Sequence, residues 1–248
     1  MHTEPPIAAS PTTPAAAEPV PAAPERVTVA SPPTAAPRPA TAVPSPTAAS
    51  EPATVAPERV PDFADKPTLT GKRVLLRPFL DGDLLELRVA HADPEVIRLT
   101  GIAGRQHSEE KLVHWYDTRN AQTDRLDLAV VDRATGACVG EVVLNQWDAH
   151  NRSCNFRTLI GPGGRDRGLG TEAVRLIVGH GFERLGLHRI SLEVYHFNPR
   201  ARRVYEKVGF VAEGVLRDAL RDDDRWVDAT VMSILAPEWA AHRGHPEG

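Results

Sequence analysis

Cysteine is scarce in these 248 residues: Cys138 and Cys154 are the only two. A pair of thiols cannot supply the disulfide framework of a small secreted scaffold, and no Cys/His spacing resembles a zinc site, so no metal is implied. Aromatics make up 5% of the chain, and Phe63 is the only one in the first 66 residues. No glycine occurs before Gly71. No run approaches the 18 apolar residues that a membrane-spanning helix needs. A basic start followed by an apolar stretch is also missing, which argues against a signal peptide. Together with the two thiols, this predicts a reduced, cytoplasmic protein with no membrane partner.

A surplus of positive charge is lacking too. The formal net charge is −4; the first 66 residues hold seven acids and four bases, so the remainder sits near −1. Nucleic-acid binding favours a basic face, and nucleic acid is therefore not an expected partner.

What the chain has in excess is proline, and it is unevenly placed. Of 23 prolines, 17 lie in the first 67 residues. A Pro/Ala-rich stretch cannot bury enough apolar surface to offset chain entropy, so residues 1–66 read as a disordered extension, either dispensable or a spacer that recruits a partner. Residues 67–248 read as one domain.

Within it, Val74–Pro78 reads as a strand. Asp81–Ala92 reads as a helix with a stripe of Leu84, Leu85, Leu87 and Val89, and Pro94 starts a short second helix. Ser108 caps a third helix. Strands at 126–131 and 139–144 form a hairpin, and Ser153–Ile160 follows as a further strand. A helix from Thr171 to Leu185 shows apolar residues at three- and four-residue spacing. Arg189–Tyr195 alternates as a strand; Asn198, Pro199 and Gly209 bracket another helix. Strands at 210–216 and 229–235 close the chain. The fold class is α/β (α+β), a mixed sheet with flanking helices.

The stretch Gly163-Gly-Arg-Asp-Arg-Gly-Leu-Gly-Thr-Glu-Ala173 fits two rules. From Gly168 it matches the dinucleotide fingerprint G-x-G-x-x-[G/A], with Glu193 about 20 residues on. But those glycines belong directly at the end of a first strand, whereas seven residues separate Gly168 from Ile160, and only one crossover unit follows. Glu193 then reads as a sheet-surface carboxylate outside the site. From Arg165 the stretch matches R-x-x-G-x-G. A glycine turn opening a helix exposes unpaired N–H groups at a positive dipole end, which suits a pyrophosphate. Asn198 and Tyr205 follow within N-x-x-A-x-x-x-Y-E-K-x-G-F, residues 198–210. A helix cap and core packing would account for these two residues on their own.

Taken jointly, R-x-x-G-x-G and N-x-x-A-x-x-x-Y-E-K-x-G-F resemble the GCN5-related N-acetyltransferases (GNAT), over about Thr70 to Trp239. The stretch from His188 to Leu220, with the later Trp226-Val-Asp228, is similar to the RimJ/RimL type and equally to spermidine N-acetyltransferases. The resemblance implies a sheet with splayed central parallel strands and acetyl-CoA as cosubstrate. It implies pantetheine contacts near Leu159 and Ile160, and a pyrophosphate held by Arg165, Arg167, Gly168, Leu169, Gly170 and Thr171. Asn198 would touch the CoA arm, and Tyr205 would protonate the departing thiolate. The family's glutamate on the first splayed strand has no counterpart in Cys154-Asn-Phe-Arg157, which leaves Glu141, His196 and Asp228 as possible bases. The acidic run Asp222–Asp224 is either a solvated turn or part of an acceptor mouth. The acceptor would be an amine: a peptide N-terminus, a polyamine or another small amine. A homodimer is common in that family. The alternative is a non-catalytic CoA-binding module whose tail recruits a partner.

Overall fold

The computed structural model describes residues 63–102 and 108–243, and the extension expected over 1–66 lies almost wholly outside them. Its last four residues are an exception. Phe63 is 2% exposed and packs against Trp147 with ring centroids 5.5 Å apart, and Lys66 Nζ donates to the carbonyls of Gln122 and Arg125. Ordered packing therefore starts upstream of residue 67. The single aromatic in an apolar-poor stretch is what anchors it.

One eight-stranded sheet organises the rest, in the order β1-β2-β3-β4-β5-β6-β8-β7. The strands are β1 (Leu69–Thr70), β2 (Val74–Arg77), β3 (Leu126–Asp132), β4 (Cys138–Asp148), β5 (Ser153–Ile160), β6 (Arg189–Tyr195), β7 (Val211–Asp222) and β8 (Arg225–Leu235). Every neighbouring pair is antiparallel except β5 and β6, which are parallel and joined through a helix, as a parallel crossover requires. Six helices flank the sheet: α1 (Asp83–Ala92), α2 (Pro94–Thr100), α3 (Glu109–Arg119), α4 (Leu169–Glu183), α5 (Pro199–Val208) and α6 (Ala236–His242).

The main core lies on the face covered by α4 and α5. Ala173, Val174, Ile177 and Val178 of α4 are fully buried against Leu128, Val130, Val142 and Leu144. Each Val or Ile so buried contributes roughly 1.5–3 kcal/mol. A smaller apolar layer, with Phe79, Leu87 and Tyr116, lies on the face covered by α1 and α3. Strand β3 is buried along its whole length because helices cover both its faces.

Two sequence expectations need correcting. In α1, Leu85 and Val89 are 70% and 66% exposed, and the buried side is Asp83, Leu87 and Ala90. A 3.6-residue period puts positions 83, 87 and 90 on one side and 85 and 89 on the other. The last two strands are also longer than 210–216 and 229–235, because they extend into a hairpin that turns at Asp223-Asp224. Strand β7 is the sheet edge and is exposed through most of its length, so no alternation marks it. Strand β1 and helix α6 are further elements that the patterning missed.

Edge strand β7 is tied to the sheet by a polar cluster. Arg189 Nη1 donates to Glu213 Oε1 at 2.7 Å, and Ser233 Oγ donates to the same oxygen at 2.7 Å. The Arg189 guanidinium holds the Glu213 carboxyl down at about 2. A carboxylate with a depressed folded pKa stabilises above its unfolded value near 4.5 and loses that contribution as pH falls toward 2. Glu213 is more than a third exposed, so screening limits the effect to below about 1 kcal/mol. Glu213→Gln is expected to melt slightly lower than the parent at about pH 6 and at the same temperature near pH 2. A melting difference that persists unchanged at the lower pH contradicts this.

Candidate active site

The parallel pair β5/β6 is bonded only through Ser153↔Arg189, Cys154↔Ile190 and Asn155↔Ser191. Both strands continue beyond the last pair, β5 to Ile160 and β6 to Tyr195, but they no longer meet. A wedge-shaped gap therefore opens in the middle of the sheet, with backbone groups on its two lips unpaired by each other.

Which groups face the gap follows from strand alternation. The N–H of Gly161 turns to the Val139 carbonyl on β4 at 2.8 Å. The Leu159 carbonyl also points to β4, so closely that a Cβ on Gly140 would sit 2.1 Å from it. The backbone groups of Thr158 and Ile160 consequently point into the gap. Of the two expected backbone contacts, Ile160 is on the open lip and Leu159 is turned away. Thr158 shares the open lip with Ile160, a placement that depends on register with β4.

Beyond Ile160 the chain makes a short 3₁₀ turn (Pro162–Gly164) and reaches α4 through Gly168, which adopts φ 76° and ψ −1°. Glycine accepts this left-handed conformation without strain. No side chain caps α4, so the N–H groups of its first turn stay available at the positive end of the helix dipole. The three residues before Gly168 are each fastened. Arg165 pairs with Asp93 at 3.0 Å and with Glu95, both at the start of α2. Asp166 pairs with Arg200 of α5 at 3.1 Å, and Arg167 with Asp132 at 2.7 Å. The guanidinium groups of Arg165 and Arg167 are thus already engaged, and the loop is held from three sides. A cleft of about 570 Å³ beside it carries Lys72, Arg73, Arg133 and Arg167. Arg73 Nη1 donates to the Arg167 carbonyl at 3.3 Å.

Across the gap, Asn198 caps α5: its Oδ1 accepts from the Ala201 N–H at 3.0 Å. Proline at the next position and Gly209 at φ 107° bound the helix as its sequence indicates. Tyr205 is 7% exposed, with its ring 6.1 Å from Phe156 and 5.9 Å from Phe210. Its hydroxyl has no hydrogen-bond partner among the described residues. Burial pushes the phenol's pKa up, so it stays protonated.

The three possible bases end up in different surroundings. Glu141 accepts from the Tyr116 hydroxyl at 2.8 Å, and that hydroxyl lies 2.8 Å from His91 Nε2, all beneath α1 and α3. Asp228 Oδ1 accepts from the Asp218 N–H at 2.9 Å and so braces the β7–β8 hairpin. His196 is exposed just past the end of β6. His196 and Asp228 are neighbours, the His196 N–H donating to the Asp228 carbonyl at 3.0 Å, whereas Glu141 lies apart from both. Asp222 ends β7 and pairs with Arg98 of α2 at 3.0 Å; Arg98 in turn lies 4.4 Å over the Phe197 ring. Asp223 and Asp224 form the turn itself.

Known proteins share this fold. A family model described as an acetyltransferase (GNAT) domain matches residues 73–211. An uncharacterized N-acetyltransferase of Bacillus subtilis, YoaA, is 25% identical over 173 residues, which is 69% of this chain and 98% of that protein. The spermidine N(1)-acetyltransferase of Vibrio cholerae is 32% identical over 110 residues, 44% of this chain and 64% of that protein. Among solved structures, the spermidine N-acetyltransferase of Vibrio cholerae in complex with CoA and spermine aligns with a TM-score of 0.63 and 25% identity, covering 68% of this chain and 99% of that one. With the gap, the uncapped α4 and the matched domain in agreement, the chain belongs to the GNAT family of acetyl-CoA-dependent N-acetyltransferases.

Proposed function

We propose that the acceptor is a small cationic amine of the polyamine class, acetylated by direct attack on acetyl-CoA in a ternary complex. The observation that carries the transfer chemistry is the gap itself, where the backbone of Thr158 and Ile160 has no strand partner across from it, although the Ile160 carbonyl accepts from Arg165 Nε at 3.4 Å, and where the Tyr205 hydroxyl has no partner among the described residues. The pantetheine arm pairs with the free edge of β5. The pyrophosphate sits on the N–H groups of residues 168–171, where glycines at 168 and 170 admit close approach. Arg165 and Arg167 act mainly by holding that loop in shape, because their guanidinium groups are occupied by carboxylates. The Asn198 side-chain amide, whose Oδ1 is used by the cap, is left with its NH₂ to donate to the CoA arm. Tyr205 protonates the thiolate as the tetrahedral intermediate collapses.

The polyamine class is favoured by the run Asp222–Asp224 at the tip of the β7–β8 hairpin; residues 217–228 hold five aspartates against Arg217, Arg221 and Arg225, a net of −2 before Arg98 pairs with Asp222. The likeness to spermidine acetyltransferases points the same way. A screen of thiol release from acetyl-CoA with spermidine, N-terminal peptides and aminoglycosides tests the reading. Spermidine is expected to give the highest kcat/KM. A peptide preferred over every polyamine refutes the acceptor class. CoA binding without turnover on any amine refutes the enzymatic reading and supports a CoA-binding module.

A further inference from the structure

Helix α2 bridges the open end of the gap. Val96, in its first half, packs with Leu159 of β5. Gly101, at its end, lies so close to Tyr195 of β6 that a Cβ there would sit 2.6 Å from the tyrosine hydroxyl. Leu159 and Tyr195 each lie four residues past the last bonded pair, Asn155↔Ser191, so the helix joins the two lips where they have already parted. The groups beside this contact form a cage that already holds a cation. The Arg98 guanidinium of α2 lies 4.4 Å over the Phe197 ring, and Phe197 packs on Tyr195 with ring centroids 5.5 Å apart. The same guanidinium donates to Asp222 Oδ2 through Nε at 3.1 Å and lies 3.0 Å from it through Nη2.

The two partners differ in how tightly the fold holds them. The Asp222 side chain is 11% exposed, and Arg98 is the only cation that pairs with it among the described residues. The Arg98 side chain is 49% exposed and can swing into water, where its charge is well solvated. An enclosed carboxylate keeps a counter-charge beside it, so a second cation must enter if Arg98 leaves. A carboxylate next to an aromatic face suits an ammonium as well as a guanidinium. A polyamine brings such a cation. When one of its nitrogens meets the thioester, another remains charged and still needs a partner. A monoamine has no charge left over.

We propose that Asp222, Phe197 and Tyr195 form the subsite for the distal ammonium of the acceptor, and that Arg98 occupies it as a built-in competitor until the substrate displaces it; the assignment rests on the polyamine reading above. Arg98 then acts as a selectivity filter. A distal ammonium that exchanges with the guanidinium recovers both the carboxylate and the aromatic face, and an acceptor without one gains nothing from the exchange. Arg221, the nearest cation in sequence, does not contest the site, because its Nε donates to the Asp223 carbonyl at 3.1 Å. The same displacement would release α2 from the hairpin tip, since the Arg98–Asp222 pair is the ion pair that links them.

The test uses the full chain saturated with acetyl-CoA, spermidine and butylamine as alternative acceptors, and thiol release as readout. Calorimetric titration of the CoA-loaded protein with spermidine measures binding without turnover. Asp222→Asn is expected to lower the ratio of kcat/KM for spermidine to that for butylamine about 10-fold. Arg98→Gln is expected to raise the same ratio about 3-fold, because it removes the competitor. Both changes sit in the KM for spermidine, and its Kd moves the same way in each variant. A merely structural latch behaves differently: either substitution breaks the same link between α2 and the hairpin, so both variants would move together. Ratios that stay at the parent value, or that fall in both variants, overturn the subsite. If Asp222→Asn fails to fold, Arg98→Gln decides alone, and spermidine binding that is unchanged or weaker in it overturns the proposal. A parent that releases no thiol with any amine removes the acetyl-transfer reading, and the titration still judges the cage. Spermidine binding that Asp222→Asn loses then keeps it, and a parent that binds no spermidine overturns it.

Discussion

Tyr205→Phe is expected to lower kcat by about 10²- to 10³-fold, the range associated with a positioned proton donor. The KM for acetyl-CoA and the melting temperature should barely move. The substitution removes one oxygen and leaves the ring that packs on Phe156 and Phe210. That oxygen bonds to nothing among the described residues, so its loss strands no buried partner. A tyrosine with a purely structural role would give a variant equal to the parent in turnover and equal or better in stability. Steady-state thiol release with a saturating amine separates the two outcomes, and unchanged kcat would sink the role assigned to the phenol. The raised pKa works in the same direction: a phenol that keeps its proton at neutral pH has one to give when the thiolate forms.

The largest effect on stability is expected far from that chemistry, at Asp127. Its carboxylate is 1% exposed and receives Arg119 Nη1 of α3 on one oxygen and Arg125 Nε at 2.6 Å on the other. Arg119 is nearly as buried, its Nε already lacks a partner, and its Cζ lies 3.4 Å from the centre of the Trp115 ring. Burial pulls the Arg119 pKa down to about 10, with Asp127 as the principal opposing influence. Asp127→Ala therefore leaves a buried cation without its counter-charge, a change that costs about 3–5 kcal/mol. For a domain of this size that corresponds to a fall in Tm of roughly 6–20 °C. Asp127→Asn, which keeps an acceptor oxygen but loses the charge, should fall between. Thermal melts decide it: a shift below about 2 °C for the alanine variant would show that the cluster relaxes and admits water.

Legibility from sequence varied with the physical nature of each feature. The helix from Leu169 to Glu183 was readable because its apolar residues follow one period and bury one side. The caps at Asn198 and Gly209 were readable because each residue type suits one backbone state. The turn in the Gly-rich loop was readable, since Gly168 adopts the left-handed conformation that glycine permits. The carboxylate partners of its two arginines were not. Whether Arg165 meets a phosphate or a carboxylate depends on Asp93 and Glu95, some 70 residues away in the chain. The orientation of Leu159 and Thr158 was hidden for a similar reason: which backbone groups face the gap depends on register with β4, and register is a relation between strands.

By itself the chain determined the family, the order of most elements and the helix boundaries at Asn198 and Gly209, because these rest on local residue types at fixed spacing. Only the tertiary structure decided where the parallel strands part and which backbone groups line the gap between them. Asp222 illustrates the difference. As the first of three aspartates it looks like part of a solvated turn. Its pairing with Arg98, 124 residues away in the chain, depends on how α2 is set against the β7–β8 hairpin, and local pattern carries no record of that geometry.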